Sequence, residues 1–506
     1  MTAKATIVEN NFPIVIVGTG FSGIAMAVML QKAGIESFTL LEKAQDIGGT
    51  WRDNTYPGAA CDVPSHLYSF SFEPKNDWSR AFSPQAEIKS YLDHCVDKYH
   101  VREKIRFGCE VTGAEFDEPT GTWTVSFKEK GRHKKLTARA FILGNGALST
   151  PADPDIKGLK DFKGDMFHSA RWNHDVDLAG KKVAVIGTGA SAIQIIPELG
   201  KVAEKLDVFQ RTAPWVLPKP DRNMTGIEKR LFTAVPSTRW LHRAYIYWRN
   251  EALATGFVVD PRLMKGLEFI GRNYLRYVVK DPVLRAKLAP NFTIGCKRML
   301  LSNSYYQTLI QPHVDVVTDG IECITEQGIK TRNGVEHKVD AIVLATGFMV
   351  TNYLSRLNIK GLLGADLNTA MTQQREHYLG ITVSKFPNMF LMMGPNTGLG
   401  HNSMVFMIEA QARYVVKCIE ALRDKQLSYM DVREDAQHEY TKDVQQRLQK
   451  SVWASGCQSW YLSADGHNGA AWPGFTWQYW FATRRLDLKA YHQVYAPVVQ
   501  AEVVNA

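Results

Sequence analysis

The sequence has 506 residues, of which 45% are hydrophobic and 22% are charged. Because domains usually hold about 100 to 200 residues, this length predicts two or three packed units, and the composition excludes disorder over any large region. Lys and Arg outnumber Asp and Glu by 60 to 51 without forming a long basic run, which favours small phosphate sites over a nucleic-acid-binding face.

The cysteines are spread along the chain in spacings that match neither a CxxC motif nor a zinc site. We therefore expect reduced thiols in a cytoplasmic protein, and no bound metal. The seven cysteines are Cys61, Cys95, Cys109, Cys296, Cys323, Cys418 and Cys457.

The first predicted element is a strand over Ile14–Val17 that turns at glycines into a helix. This apolar run is too short and glycine-rich for a membrane span and lacks the form of a cleavable signal. Gly18 suits the positive φ of a tight turn, Gly20 lets the backbone approach a pyrophosphate, and Gly23 allows close helix packing. The next strand ends at Glu42, whose carboxylate can accept from a ribose. The segment predicts a dinucleotide-binding unit.

The same pattern recurs in the middle of the chain. Val183–Ile186 form the predicted strand and Gly187 and Gly189 the turn, with Ala192 in the position of the third glycine. A second dinucleotide-binding unit is therefore predicted.

The strand after this second turn ends in Gln210, Arg211 and Thr212 instead of an acid. An arginine pairs well with the 2′-phosphate of NADPH, which favours NADPH over NADH unless Arg211 is only a solvated loop residue. Two such units, the first with an acid and the second with an arginine, predict a flavoprotein reduced by NADPH. Disulfide reductases, amine hydroxylases and ketone monooxygenases all share this arrangement.

A string between the two units narrows the chemistry. Phe162, Gly164, His168 and Trp172 stand in the spacing FxGxxxHxxxW, which resembles the fingerprint of the Baeyer-Villiger monooxygenases. The family pattern continues with Pro or Asp, where this chain has Asn173. Related flavin monooxygenases that hydroxylate nitrogen or sulfur usually have Tyr or Phe in place of the tryptophan.

A second motif of the family is matched at every fixed position by GGTWRDNTYPGAACD, from Gly48 to Asp62. Shorter matches are ATGF at 345–348, GPNTG at 394–398 and SW at 459–460. The resemblance covers essentially the whole chain. It implies an α/β fold with two Rossmann-like dinucleotide-binding domains, for FAD and NADPH, and a helical insertion in the NADPH domain.

The domain boundaries are expectations from the same resemblance. The FAD-binding domain is discontinuous, over 1–147 and 375–506; the NADPH-binding domain covers 158–214 and 311–365, the insertion 215–310, and the linkers 148–157 and 366–374. Within the insertion, the aromatic-rich segment Arg239–Leu253 has apolar residues at helical spacing. We expect it to be buried against neighbouring helices, with membrane contact as the alternative.

The resemblance implies an enzyme that uses FAD, NADPH and O2 to insert one oxygen atom into a ketone, giving an ester or lactone. In the family, hydride passes from NADPH to FAD, O2 is captured as a C4a-peroxyflavin, and the peroxide attacks the ketone. Sulfoxidation is an expected side activity. The alternatives are an N- or S-hydroxylating flavin monooxygenase and a reductase or NADPH-binding sensor, although no redox CxxC stands near either turn. We expect a monomer or weak dimer.

By resemblance, Arg298 is the cation that stabilises the anionic oxygens, since a guanidinium stays protonated, and Asp62 is the acid behind it. Lys297 aligns with a family residue that contacts the NADPH phosphate, and Trp460 with an aromatic residue beside the nicotinamide. His168 is expected to make structural hydrogen bonds at the domain linker, with direct proton transfer as the alternative.

Two further sets of residues are expected to contact the cofactors. Those for FAD are Gly18, Gly20, Phe21, Ser22, Gly23, Glu42, Gly49, Thr50, Trp51, Asp62, Tyr68, Val111 and Met404. Those for NADPH are Ala60, Cys61, Asp62, Gly187, Thr188, Gly189, Ala190, Ser191, Ala192, Gln210, Arg211, Thr212, Lys297, Arg298 and Trp460. The segments 398–404 and 465–477 contain glycines that could allow lid motion, and we expect them to border the substrate pocket.

Overall fold

A computed structural model of the chain describes residues 12–350, 354–457, 459, 461–463 and 465–495. The strands are β1 (Ile14–Val17), β2 (Phe38–Glu42), β3 (Ile105–Phe107), β4 (Cys109–Asp117), β5 (Thr122–Glu129), β6 (Arg132–Ala138), β7 (Ala140–Leu143), β8 (Asp165–His168), β9 (Lys182–Ile186), β10 (Lys205–Phe209), β11 (Val216–Leu217), β12 (Leu300–Leu301), β13 (Val314–Val317), β14 (Ile321–Ile324), β15 (Gly328–Thr331), β16 (Glu336–Lys338), β17 (Ala341–Leu344), β18 (Asn358–Lys360), β19 (Met389–Leu391), β20 (Leu427–Val432) and β21 (Tyr491–Tyr495). The α-helices are α1 (Phe21–Lys32), α2 (Thr50–Asp53), α3 (Gln85–Lys98), α4 (Ala192–Leu199), α5 (Gly226–Ala234), α6 (Pro236–Ala254), α7 (Met264–Val278), α8 (Pro282–Lys287), α9 (Tyr305–Leu309), α10 (Leu367–Thr369), α11 (Met404–Asp424), α12 (Glu434–Leu448) and α13 (Thr476–Thr483).

The first unit is built on a parallel sheet in the order β19-β7-β1-β2-β3. Ile14 pairs with Phe38 of β2 on one side and Ala140 of β7 on the other. Helices α1, α3 and α11 supply apolar side chains to one face, while β4 and β5 of a second sheet cover the other. Because both faces are covered, β1 is a continuous hydrophobic run, as is usual for buried parallel strands.

The second unit repeats this plan with a parallel sheet in the order β13-β10-β9-β17-β8. Side chains of α4 and α9 pack on one face, and the antiparallel sheet β14-β15-β16 packs on the other. The predicted α/β fold with two Rossmann-like units is therefore confirmed, and both predicted strand–turn–helix segments are present.

The chain returns from the second unit to the first earlier than the predicted boundary at 365. β18 pairs in parallel with β4, with Asn358 opposite Gly113. In the range predicted as a linker, 366–374, the side chains of Leu367 and Ala370 are buried in the core of the first unit. This stretch thus packs as part of that unit, which corrects both boundaries.

The insertion contains α5, α6, α7 and α8, and its ends are joined by parallel pairing of β11 with β12. The prediction that Arg239–Leu253 is buried is wrong for much of α6, because Trp240, Leu241, Tyr245 and Trp248 are more than half exposed. Other residues of the same helix are buried, including Ile246 and Ala254. Among the described residues, no helix is both long and apolar enough to cross a membrane.

Candidate active site

The glycines of the first turn occupy positions that a side chain could not share. Gly18 has φ +91°, and a Cβ there would lie 2.9 Å from the carbonyl oxygen of Gly144. A Cβ on Gly23 would lie 1.9 Å from the oxygen of Gly18, so α1 packs directly on the turn. Gly20 faces Gly49, whose Cα would be 3.8 Å from a Cβ on Gly20. The backbones of Gly20 and Gly49, which have no side chains, therefore face each other at the N-terminus of α1, and we call the space between them the cradle.

Glu42 lies at this cradle, as the spacing predicted. Its Oε2 accepts from the backbone N–H of Thr19 at 3.1 Å and from the Thr19 hydroxyl at 2.7 Å. Its Oε1 is 3.0 Å from Nη1 of Arg52, which follows Gly49 in the second motif. The buried acid is thus fixed between the glycine turn and the 48–62 motif.

Aromatic residues close the other side of the cradle. Trp51 Nε1 donates to the hydroxyl of Tyr68 at 3.2 Å, and the rings of Phe21 and Tyr68 meet edge to face at 5.0 Å. Burial raises the pKa of Tyr68 well above its ordinary value, so the phenol stays neutral. Elsewhere, Val111 is buried in β4 and Met404 is the first residue of α11. Their expected contact with FAD stays a prediction.

The second glycine turn has the same construction. Gly187 has φ +117°, and a Cβ there would lie 2.4 Å from the oxygen of Ala345, in the ATGF motif. A Cβ on Gly189 would meet nothing within 4 Å, so the turn is open at that point. Ala192 is fully buried at the start of α4, and Thr188 donates to the carbonyl of Thr212 at 3.1 Å.

Two cations, Arg211 and Lys297, are the residues expected to bind the phosphate of NADPH. Burial lowers the pKa of Lys297, and the positive charge of Arg211 lowers it further. Neither makes a salt bridge with a carboxylate among the described residues. Lys297 Nζ lies 4.8 Å from the centre of the Phe292 ring. An unpaired cation pair is electrostatically suited to a phosphate. Gln210, by contrast, donates to the carbonyl of Lys287 at 2.8 Å and is buried.

The predicted catalytic pair is brought together between the units. Nε and Nη2 of Arg298 donate to the same oxygen, Oδ2, of Asp62, at 2.9 and 2.6 Å. The Asp62 charge is the main cause that raises the pKa of Arg298. The Arg298 side chain is 39% exposed, so Asp62 holds a cation that is only partly buried.

Two other residues near this pair, Lys219 and Tyr461, were missed by the sequence analysis. Lys219 Nζ donates to the carbonyl of Cys61 at 3.3 Å, and burial lowers the pKa of Lys219. Tyr461 is buried close to Arg298, and burial raises its pKa to about 12 although the Arg298 charge opposes the rise. Burial, followed by the charge of Asp62, raises the pKa of Cys61, so that this thiol is not a nucleophile at neutral pH.

A link between the two units also escaped the sequence analysis. Gln194 on α4 accepts from the hydroxyl of Tyr56 at 3.0 Å and donates to the carbonyl of Ala60 at 3.0 Å. Gly58 has φ +80°, and a Cβ there would lie 2.7 Å from the carbonyl oxygen of Gln194. The 48–62 motif thus docks on the second glycine helix. The sequence signal that could have revealed this link is Gln194, the single amide side chain among the apolar residues of α4.

The expectation that all seven cysteines are reduced is wrong for two of them. Cys296 and Cys457 form a disulfide with a Cα–Cα distance of 6.2 Å, across a sequence separation of 161. The fold brings the pair within disulfide range, which sequence spacing could not reveal. The disulfide therefore links the residue before Lys297 to a residue two positions before Ser459. Trp460, expected beside the nicotinamide, lies outside the described residues.

The fingerprint lies on β8 and the turn that follows it. His168 is buried, its Nδ1 accepts from the backbone N–H of Ala170 at 3.1 Å, and burial lowers its pKa. A Cβ on Gly164 would lie 2.4 Å from the carbonyl oxygen of Asp340. Trp172 packs edge to face on Phe167. These contacts favour the structural role expected for His168, which stays a prediction.

Taken with the fold, this site defines a protein with two dinucleotide-binding units and an arginine–carboxylate pair between them. The family model described as flavin-binding monooxygenase-like matches residues 12–231. A Baeyer-Villiger monooxygenase from Pseudomonas aeruginosa is 44% identical over 96% of this chain and 92% of its own. A Baeyer-Villiger monooxygenase from Streptomyces coelicolor is 42% identical over 97% of this chain and 94% of its own. The chain belongs to the Baeyer-Villiger monooxygenase family, as the motifs predicted.

Solved structures agree with this assignment. Oxidized steroid monooxygenase bound to NADP superposes with a TM-score of 0.85 at 30% identity, over 96% of this chain and 99% of that one. The enzyme OTEMO, in complex with FAD and NADP, gives a TM-score of 0.86 at 27% identity, over 96% and 100%. The fold of this chain is thus similar to that of enzymes solved with both dinucleotides.

Proposed function

We propose that this protein binds FAD and NADPH and uses O2 to insert one oxygen atom beside a ketone carbonyl, giving an ester or lactone. The observation that carries the proposal is the Arg298–Asp62 pair, a fixed and only partly buried cation placed between two dinucleotide-binding turns. Membership of the Baeyer-Villiger monooxygenase family supports it. We also propose sulfoxidation as a side activity.

The residues of the first unit fit FAD. The paired backbones of Gly20 and Gly49 leave room for a pyrophosphate at the N-terminus of α1, and Glu42 is fixed where a ribose hydroxyl can donate to it. When bound, FAD would supply hydride acceptance and the activation of O2. The protein contributes binding, orientation and electrostatics.

The residues of the second unit fit NADPH. Gly189 is open toward the space where a pyrophosphate would bind, because a Cβ there would meet nothing within 4 Å. Arg211 and Lys297 make no salt bridge with a carboxylate among the described residues, and a 2′-phosphate bound between them would neutralise both. This pair supports a preference for NADPH over NADH.

Arg298 would hold negative charge on oxygen during attack on the ketone. A guanidinium remains protonated at every relevant pH and can donate to two oxygens, whereas a lysine or histidine could lose its proton. Asp62 fixes the orientation of the guanidinium and offsets the cost of burying a lone cation. Both side chains are set by the fold before substrate arrives, so little reorganisation is needed.

The test is a panel of ketones and sulfides incubated with the purified holoenzyme, NADPH and O2, with the products identified by mass spectrometry. Product identification is needed because release of hydrogen peroxide also consumes NADPH. Esters or lactones from ketones, formed faster than sulfoxides, are the expected result. Hydroxylation of amines or sulfides without any ester would favour the N- or S-hydroxylating alternative, and consumption of NADPH without an oxygenated product would favour a reductase.

A further inference from the structure

Exposed apolar side chains lie on two helices, α6 and α13, that hydrogen bonds join to each other. We call their surface the aromatic face and define it by Leu241, Tyr245 and Trp248 on α6 with Trp477 and Phe481 on α13. Their exposed fractions are 59%, 64%, 60%, 37% and 58% respectively. Residues 241, 245 and 248 follow each other at helical spacing, so they form one stripe along α6. An exposed apolar group of this kind marks an interaction site.

The two helices are fixed to each other. The Thr476 hydroxyl donates to Glu251 at 2.6 Å, and the Thr476 backbone N–H donates to the other oxygen of the same carboxylate at 3.0 Å. Tyr247 is within hydrogen-bonding distance of the Thr476 hydroxyl, at 3.0 Å, and its ring packs on Phe406. The aromatic face is therefore a preformed surface and not two independent helices.

The exposed charges on the two helices that form the face have one sign. Glu251 is the single acid on α6 and is buried, and α13 contains no acid at all. The exposed cations Arg249, Arg484 and Arg485 flank the apolar side chains and make no salt bridge among the described residues. Over residues 226–287 the sequence has twelve Lys and Arg against five Asp and Glu, so this segment accounts for seven of the nine net positive charges.

We propose that the aromatic face docks on the surface of an anionic phospholipid membrane. Tryptophan and tyrosine are suited to the boundary between headgroups and acyl chains, and arginines at the rim pair with lipid phosphates. Charge complementarity decides between a membrane and a second copy of this chain, because a symmetric pair of these faces would bring unpaired cations together. The proposal does not rest on the proposed oxygenation reaction, since Leu241, Tyr245 and Trp248 are not among the residues expected to bind either dinucleotide or to border the substrate pocket.

The experiment is co-sedimentation of the full-length holoenzyme with two kinds of vesicle, phosphatidylcholine alone and phosphatidylcholine mixed with phosphatidylglycerol. We expect binding to the mixed vesicles that weakens as salt is added. The double variant Tyr245→Ser with Trp248→Ser should lower the partition coefficient at least tenfold, since each side chain loses apolar burial. Arg484→Glu should lower it at least about fivefold at low salt.

A matched control is Tyr495→Ser, which removes an aromatic side chain of similar exposure, 62%, from β21. It should bind vesicles like the unchanged protein. Oxygenation of a soluble ketone without vesicles should be equal in all variants, which separates lost docking from misfolding. Absence of binding to anionic vesicles, or equal binding by the double variant, would overturn the proposal. A dimer in sedimentation velocity that Trp248→Ser dissociates, without vesicle binding, would assign the face to a second copy.

Discussion

Arg298 and Asp62 are 236 positions apart in the chain, yet two nitrogens of the guanidinium donate to one oxygen of the carboxylate at 2.9 and 2.6 Å. The pair joins the insertion to the second motif of the first unit. It therefore forms only when both are folded and docked.

Replacing Arg298 by alanine should abolish oxygenation while hydride transfer survives. The proposed role of Arg298 is to stabilise anionic oxygens, which arise after the flavin has been reduced. We expect ester formation to fall by about 100-fold or more, with NADPH oxidation continuing and hydrogen peroxide replacing the ester. Stopped-flow flavin absorbance and product analysis measure the two steps. Arg262→Ala, at an exposed arginine, is the control; undiminished ester formation by Arg298→Ala would contradict the assignment.

Neutralising both Arg211 and Lys297 should remove the preference for NADPH. Each charge-assisted hydrogen bond to a phosphate contributes about 1.5 to 3 kcal/mol, so the double glutamine variant should raise the NADPH KM by roughly 10-fold or more. The NADH KM should change little, since NADH has no 2′-phosphate. Steady-state kinetics with both coenzymes provide the measurement, and Lys163→Gln, at an exposed lysine, is the control. An equal change in the KM for both coenzymes would show that the cation pair does not determine which coenzyme is used.

Gly58→Ala should loosen the docking of the two units. A new Cβ would lie 2.7 Å from the Gln194 carbonyl, in backbone at φ +80°. We expect a loss of about 1 to 3 kcal/mol in the free energy of unfolding and weaker NADPH binding. Gly334→Ala is a matched control because Gly334 has φ +88° but a Cβ there would meet nothing within 4 Å. If the two variants were equally stable, backbone strain alone would explain the effect.

Asp431 should make stability depend on pH. Burial raises the pKa of this carboxyl from its ordinary value near 3.8 to about 7. The folded state therefore keeps a proton that the unfolded state loses, and the free energy of unfolding falls as pH rises from about 4 to about 7. The Asp431→Asn variant has no carboxyl to titrate and should lack this contribution. The difference in the free energy of unfolding, variant minus unchanged protein, should therefore increase between about pH 4 and about pH 7, by at most about 1.4 kcal/mol per pH unit. Urea unfolding at several pH values tests this; a pH-independent difference would contradict it.

Local patterns were enough to predict the two dinucleotide-binding turns. The strands Ile14–Val17 and Lys182–Ile186, the positive φ of Gly18 and Gly187, and the location of Glu42 at the first turn all follow from short-range sequence. These features depend on backbone sterics and hydrophobic periodicity within about thirty residues, which a single sequence displays. The motif resemblance added the family, and the comparisons confirmed it.

Contacts between segments that are distant in the sequence could not be predicted from local patterns. The docking of Gln194 on the 48–62 motif, the Cys296–Cys457 bridge and the early return of β18 all depend on which surfaces meet, and nothing in their local sequence specifies that. The stripe on α6 has the apolar spacing of a buried helix, and only the fold shows that the rest of the described chain leaves it exposed. The sequence determined the chemistry of the two nucleotide-binding turns, whereas tertiary structure decided which side chains share a site, because contacts between distant segments exist only after the units have docked.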